Sequence, residues 1–333
     1  MKKIYLISND KIWISNKKYT SNNDLDNIIT CLNEKYDVNL VCRKSVKELR
    51  FQLNDKFNFC QLKNINERNI NILLISVTPF NFFSLLYLIF IKRVKLKGFV
   101  YLRSDGFLEY KYRFGLIGYY FYYIMFLIIK KYLKILSCSN NFTKVKVDKL
   151  LHPSELNPKW FVKDKLKKNI NIDFLYVGRF KKDKGTFYLV NMFKNYLGDY
   201  NLTIVGNDKT LISKKYYSDN INYINSITNI DELIKIYDCS KVFILPSFIE
   251  GFPKVISESL ARLKPIIIFE EIEYVINKRK GIFVCKRNEK DLRKTINYIL
   301  KNYSDIQRQI EKNYFYTKDN FKKEFLTSIK HDF

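Results

Sequence analysis

The chain has 333 residues, 47% of them apolar, which is enough for two domains with sizeable cores and excludes a chain disordered throughout. Fifty-nine Lys and Arg against 33 Asp and Glu give a net charge of +26, a field that favours anionic partners: nucleotides, nucleic acid or an anionic membrane surface. The basic residues are spread along the chain rather than gathered into an arm, and Lys, Asn and Ile are heavily used throughout, so biased composition explains part of that charge. Six cysteines stand far apart with no Cys-x-x-Cys pair, and two histidines complete the set, which excludes a zinc cluster built from local spacing. Buried reduced thiols in a cytosolic protein are expected.

The first half alternates strand and helix. Residues 4–7 form a short apolar strand, too brief for the core of a signal peptide, and Ser8-Asn9-Asp10 follows it. A helix is expected over 24–36 behind Ser21 and Asn23 as caps, with strands at 38–42, 72–77, 99–102 and 135–138. Strands separated by helices imply a parallel, doubly wound sheet. Two apolar helices interrupt the pattern, over 80–91 and 114–129, neither containing a charge. Sixteen helical residues span roughly 24 Å, short of the ~30 Å hydrocarbon core of a bilayer. Tyr119, Tyr120, Tyr122 and Tyr123 suit a headgroup region better than lipid tails, and Lys111, Arg113, Lys130, Lys131 and Lys134 flank the segment. The second helix therefore packs in the domain core, lies in an anionic membrane surface or, as a third reading, spans the bilayer.

Pro153, Pro158 and the charge run over 163–168 make the best linker in the sequence, with His152 expected to be solvated beside it. The boundary falls within 160–171, giving a first domain of 1–165, a second of 166–305 and a helical tail of 306–333. The alternation restarts in the second domain, with strands at 174–177, 202–205, 242–245 and 265–269. Helices are expected at 186–196, at 230–237, from Val255 through Leu263, and at 291–302. The tail, over 304–325, reads as one or two further helices.

Two turns of the second domain carry chemistry. After the strand at 174–177 come Gly178-Arg179-Phe180-Lys181-Lys182-Asp183-Lys184-Gly185. Gly178 permits a sharp exit, and Gly185 opens the next helix. Arg179 offers a planar donor fork and Lys184 a point charge, both suited to a diphosphate. After the strand at 242–245 come Glu250-Gly251-Phe252-Pro253, with Glu258 eight residues beyond Glu250. That turn lies at the carboxyl edge of a sheet beside a helix N-terminus, where open α/β sheets bind ligands and free N–H groups favour anions. The plainer alternatives are a solvated basic loop, a capping carboxylate and a surface carboxylate.

These residues resemble the two signatures of family-4 retaining glycosyltransferases of the GT-B fold. The resemblance is specific over 172–300, and over 1–150 it rests on strand–helix order alone. It implies an α/β protein of two Rossmann-like domains with a cleft between them, the tail packing back on the first. Carried over, Glu250 meets hydroxyls of the transferred sugar and Glu258 holds the ribose. Arg179 and Lys184 grip the donor diphosphate, and Gly178, Gly251 and Phe252 complete the donor site. The donor is a UDP- or GDP-linked sugar acting as substrate, with no separate cofactor and no bound metal, and no enzymic nucleophile is expected. The acceptor is a glycan, or one linked to lipid, met at the inner face of the cytoplasmic membrane during surface polysaccharide synthesis, of lipopolysaccharide or capsule. Asp105, after the strand at 99–102, is the acceptor-side candidate, although Asp-Gly is also a common turn.

Two departures accompany the resemblance. Ser8-Asn9-Asp10 replaces the usual glycine-rich turn, and Arg262-Leu263 stands where the family has a small residue and glycine. Rival readings are an epimerase or hydrolase of nucleotide sugars on the same fold, and a non-enzymatic binder of nucleic acid suggested by the charge. Nucleic acid is not the expected partner.

Overall fold

The computed structural model describes residues 1–15, 18–49, 51–53, 56–143, 145–161, 171–206 and 212–330. They fall into two units, Met1–Pro153 with Asp319–Phe333, and Ser154–Lys318. The boundary expected at 165/166 lies outside the described residues.

In the first unit the elements run β1 (Lys2–Ser15), β2 (Lys18–Ser21), α1 (Asn23–Asn33), β3 (Tyr36–Lys44), β4 (Phe51–Gln52), β5 (Asn58–Phe59) and β6 (Asn69–Ile75). Then come α2 (Pro79–Leu86), β7 (Lys95–Leu102), α3 (Gly106–Tyr132), β8 (Lys134–Ser137) and β9 (Lys149–Leu150). β5, β3, β1, β6, β7, β8 and β9 lie side by side in parallel, with Ile4, Leu6 and Ile7 of β1 fully buried near the centre. β1 is longer than its apolar run predicts. Past an irregularity between Ser8 and Lys11 it stays extended, because Trp13–Ser15 find antiparallel partners in β2. The cap of α1 is Asn22 rather than Ser21 or Asn23: its side chain accepts the Leu25 N–H at 2.9 Å.

α3 departs most from its sequence pattern. It starts at Gly106, earlier than expected, because Asp105 caps it by accepting the Leu108 N–H at 3.0 Å. It then breaks at Gly115, whose φ of 66° and ψ of −154° lie outside the helical region in a conformation that favours glycine. Beyond the break the chain folds back. Phe107 lies 4.7 Å from Tyr122 and 5.3 Å from Phe126 between ring centroids. An unbroken helix would hold Phe107 and Phe126 about 28 Å apart. α3 is therefore a helical hairpin, with arms over 106–114 and 116–132. Tyr122, Met125, Phe126 and Ile129 of the second arm are buried.

The second unit runs β10 (Ile172–Val177), α4 (Thr186–Asn195), β11 (Leu202–Val205), β12 (Ile221–Ile224), α5 (Ile230–Cys239), β13 (Ser240–Leu245) and α6 (Lys254–Ala261). It continues with β14 (Ile266–Phe269), β15 (Ile282–Cys285), α7 (Glu289–Lys301) and α8 (Tyr303–Ile310). All six strands are parallel in the order β12-β11-β10-β13-β14-β15. Residues 242–245 of β13 and all of β14 are uninterrupted apolar runs because helices cover both faces of such a sheet. The last helix, α9 (Lys318–Lys330), belongs to the first unit over almost all its length. Phe325 is buried beside Tyr101, and Lys322 pairs with Glu34. His152 is not simply solvated: Glu324 accepts its backbone N–H at 2.8 Å and meets its ring Nδ1 at 2.9 Å.

The turn after α6 explains the departure at Arg262-Leu263. Leu263 adopts φ 57°, the left-handed conformation that glycine takes readily. Its neighbours are fastened inward. Buried Arg262 pairs with Asp238 at 2.6 Å and donates to the Trp160 carbonyl at 3.0 Å, while Lys264 donates to the Asp238 carbonyl at 3.0 Å. Removing one member of a buried pair strands the other charge, so Arg262→Ala should destabilise the second unit by about 3–5 kcal/mol. Urea denaturation checks this, and an unchanged midpoint would contradict it.

Candidate active site

The strand order of the second unit fixes where a ligand can sit. From β10 the chain builds outward through β11 and β12, then crosses to β13 on the other side of β10 and continues through β14 to β15. The order reverses between β10 and β13. The crevice beyond the carboxyl ends of these two strands is the switch point at which open α/β sheets bind ligands. Both chemistry-bearing turns leave from it: 178–184 after β10 and 246–253 after β13.

Backbone contacts lock the two turns together. The Phe248 N–H donates to the Asp183 carbonyl at 3.0 Å. Gly185 sits at φ 66°, and a Cβ there would lie 1.8 Å from the Pro246 carbonyl oxygen. Only glycine permits that approach. Across the junction Lys184 Nζ meets Glu250 Oε1 at 2.7 Å, and the Ser247 hydroxyl donates to the same oxygen at 2.5 Å. Glu250 is only 7% exposed, and a carboxylate so buried is tolerated because it has a cation and a donor. Its backbone is held as well. The Tyr274 hydroxyl accepts the Glu250 N–H at 3.0 Å and donates to the Glu250 carbonyl at 2.6 Å.

Arg179 is exposed at the rim, its carbonyl accepting from the buried Tyr176 hydroxyl at 3.1 Å. Burial raises the Tyr176 pKa, and the Glu250 charge adds to the effect, so Tyr176 remains a protonated donor. Gly178, Gly251 and Phe252 are half-buried in the same turns. Two helices begin here without a side-chain cap, α4 at Gly185 and α6 at Pro253, whereas Asn229 and Asn288 cap α5 and α7. The uncapped ends present first-turn amides and the positive end of a dipole to an anion.

Glu258 lies on α6 and is buried. Its Oε2 accepts from the Tyr237 hydroxyl at 2.9 Å, and Tyr237 is itself fully buried on α5. Burial, then the adjacent Glu258 charge, pushes the Tyr237 pKa well above its ordinary value, so Tyr237 serves as a fixed donor. Asp105 stands apart from this group, in the first unit, as the cap of α3, and burial raises its carboxyl pKa.

Sequence reading missed the residues behind these side chains. Arg287 is the largest omission. It grips Glu271 with two nitrogens, at 2.8 and 3.1 Å, and donates to the carbonyls of Pro246 at 3.0 Å and Ser247 at 3.2 Å. Its guanidinium also lies 4.0 Å from the Phe248 ring centroid and 4.3 Å from that of Phe269. One side chain thus sets the strand exit that leads to Glu250. Ser247, Tyr274 and Tyr237 were likewise silent, since none stands in a distinctive spacing.

The family model for glycosyl transferases group 1 matches residues 158–315. That match takes in just under half of the chain and includes both chemistry-bearing turns. The chain is similar to the capsular polysaccharide biosynthesis glycosyltransferase CapM of Staphylococcus aureus, 30% identical over 43% of this chain and 41% of that protein. The chain spans roughly half the length of the curated relatives it matches, 60% and 41%. Among solved structures, sucrose-phosphate synthase of Thermosynechococcus elongatus superposes over 99% of both chains with a TM-score of 0.70 at 13% identity. Anabaena HepE in complex with UDP-glucose gives 0.63 at 11% identity, over 98% of this chain and 99% of that one. The fold of this chain is GT-B, with two parallel-sheet Rossmann-like domains.

Arg287→Lys keeps the charge but loses the fork that spans Glu271 and two carbonyls. The substitution should cut sugar transfer at least tenfold, about 1.4 kcal/mol in the barrier, with a smaller loss of stability. Steady-state kinetics beside a thermal melt checks this, and full activity would mean that the turn holds Glu250 unaided.

Proposed function

We propose that this chain moves a sugar from a UDP- or GDP-linked donor to a hydroxyl of a glycan or lipid-linked acceptor, with retention of anomeric configuration, in surface polysaccharide synthesis. The observation that carries the reading is the Lys184–Glu250 pair at 2.7 Å, set at the switch point beside exposed Arg179 and two uncapped helix N-termini. A nucleoside diphosphate brings negative charge to that spot, and a hexose brings hydroxyls. The names of the relatives support the setting: one is a capsular polysaccharide enzyme, and another was solved with UDP-glucose.

The chemistry follows from charge. As the bond between the anomeric carbon and the diphosphate oxygen breaks, negative charge builds on the leaving group. Arg179, Lys184 and the first turns of α4 and α6 are positioned to neutralise it. The diphosphate competes with Glu250 for the Lys184 ammonium. Once Lys184 turns to phosphate, the Glu250 carboxylate becomes an acceptor for hydroxyls of the transferred sugar. Glu258, with one oxygen held by Tyr237, accepts from the ribose hydroxyls. The acceptor oxygen attacks from the face the diphosphate leaves, so configuration is kept without an enzymic nucleophile, and the departing phosphate oxygen or Asp105 takes the proton.

Glu250→Gln should lower kcat strongly without weakening UDP binding, because its interaction with the sugar grows toward the transition state. Glu258→Gln should weaken UDP binding by about 1–3 kcal/mol, acting equally in ground and transition states. Calorimetry and kinetics on both variants separate the roles, and proportional losses in each would refute them. Arg179→Ala and Lys184→Ala should each slow transfer by about 2–4 kcal/mol in the barrier, and EDTA should leave activity intact. Activity abolished by EDTA and restored by Mn²⁺ would contradict the charge assignment. Asp105→Asn keeps the helix cap but removes the base. A fall in kcat with unchanged stability assigns Asp105 to the acceptor, whereas full activity leaves it a cap.

A further inference from the structure

The α3 hairpin carries an apolar surface that the transfer chemistry does not use. Phe114, Leu116 and Ile117, on either side of the Gly115 break, are 63%, 64% and 84% exposed. Tyr120, Phe121 and Ile124 continue the exposed face along the second arm. Soluble proteins rarely leave so many large apolar side chains together in water, and such a face marks an interaction surface.

Its surroundings identify the partner. α3 contains one acid, Glu109, and that acid is paired with Arg113 at 2.7 Å. Over residues 79–134 ten lysines and arginines stand against two acids, and Lys111, Lys130 and Lys131 of α3 are exposed. Tyr120 and Tyr123 are exposed among the apolar residues of the second arm, a residue type that membrane interfaces favour. An apolar face, aromatics and a basic rim together complement an anionic bilayer. By length and composition alone, 27 residues could cross a membrane. The break at Gly115 and the fold back of the second arm on the first argue against it. The arms have nine and seventeen residues, about 14 and 26 Å, both under the ~30 Å of a hydrocarbon core. Because the second arm packs back on the first, both ends return to the same side.

We propose that the α3 hairpin docks tip-first on an anionic lipid surface, with Phe114, Leu116 and Ile117 entering the boundary of one leaflet and the lysines and Arg113 meeting headgroups. This docking stands on the fold and exposure of α3 and is independent of the transfer reaction. The full chain should float with phosphatidylcholine vesicles that contain phosphatidylglycerol and stay down with phosphatidylcholine alone. The double variant Leu116→Asp, Ile117→Asp should lose vesicle affinity at least tenfold, with unchanged melting temperature and UDP affinity. Ile117→Trp should be quenched by brominated acyl chains. Equal partition of wild type and double variant would overturn the proposal. So would association that survives alkaline carbonate, which indicates a span. A dimer in the absence of lipid, dissolved by the same two substitutions and without vesicle binding, would assign the face to a second copy instead.

Discussion

The contact between Lys184 and Glu250 is the one on which the rest of the proposed donor site depends. A buried ion pair contributes little net stability, because desolvation of the two charges offsets their attraction. Its place in this fold is better understood as preorganisation. The two residues lie 66 apart in sequence and meet only because β10 and β13 are neighbours across the point where strand order reverses. Each comes from a turn leaving one of those strands. The pair therefore forms only if the sheet has the right order and both turns have the right shape.

The supporting contacts enforce that shape. The absent side chain at Gly185 lets the first turn touch the Pro246 carbonyl. Arg287 holds the Pro246 and Ser247 carbonyls from the other side, and Tyr274 clamps both backbone groups of Glu250. Tyr237 does for Glu258 what Ser247 does for Glu250: a neutral hydroxyl occupies one carboxylate oxygen and fixes the group without cancelling its charge. Such preorganised groups need no rearrangement when charge develops on a ligand.

Much of this was legible in the sequence, for identifiable reasons. Runs such as 242–245 are apolar throughout because a parallel sheet is covered on both faces, so the strands of the second unit stand out. Arg179, Lys184 and Glu250 stand out as charged residues beside glycines in the turns that follow those strands, and Glu258 by its spacing of eight residues from Glu250. The rest depended on contacts across long separations. Nothing local marks Arg287 as the anchor of the turn at 246–253, or His152 as the partner of Glu324. Polar residues 8–10 read as a loop, yet β1 continues through them because a hairpin partner was waiting at 18–21. Gly115 reads as one glycine in a helical run, and only the fold back of Phe107 onto Tyr122 and Phe126 reveals the break.

The central claim is that the donor diphosphate and Glu250 compete for one ammonium group. A double-mutant cycle on Lys184→Met and Glu250→Gln, read as UDP affinity by calorimetry, tests it directly. If the claim holds, Glu250→Gln tightens UDP binding when Lys184 is present and changes it little when Lys184 is methionine, giving a coupling of at least about 1 kcal/mol. Equal effects in both backgrounds, within about 0.5 kcal/mol, would show that the two residues act independently and would contradict the account.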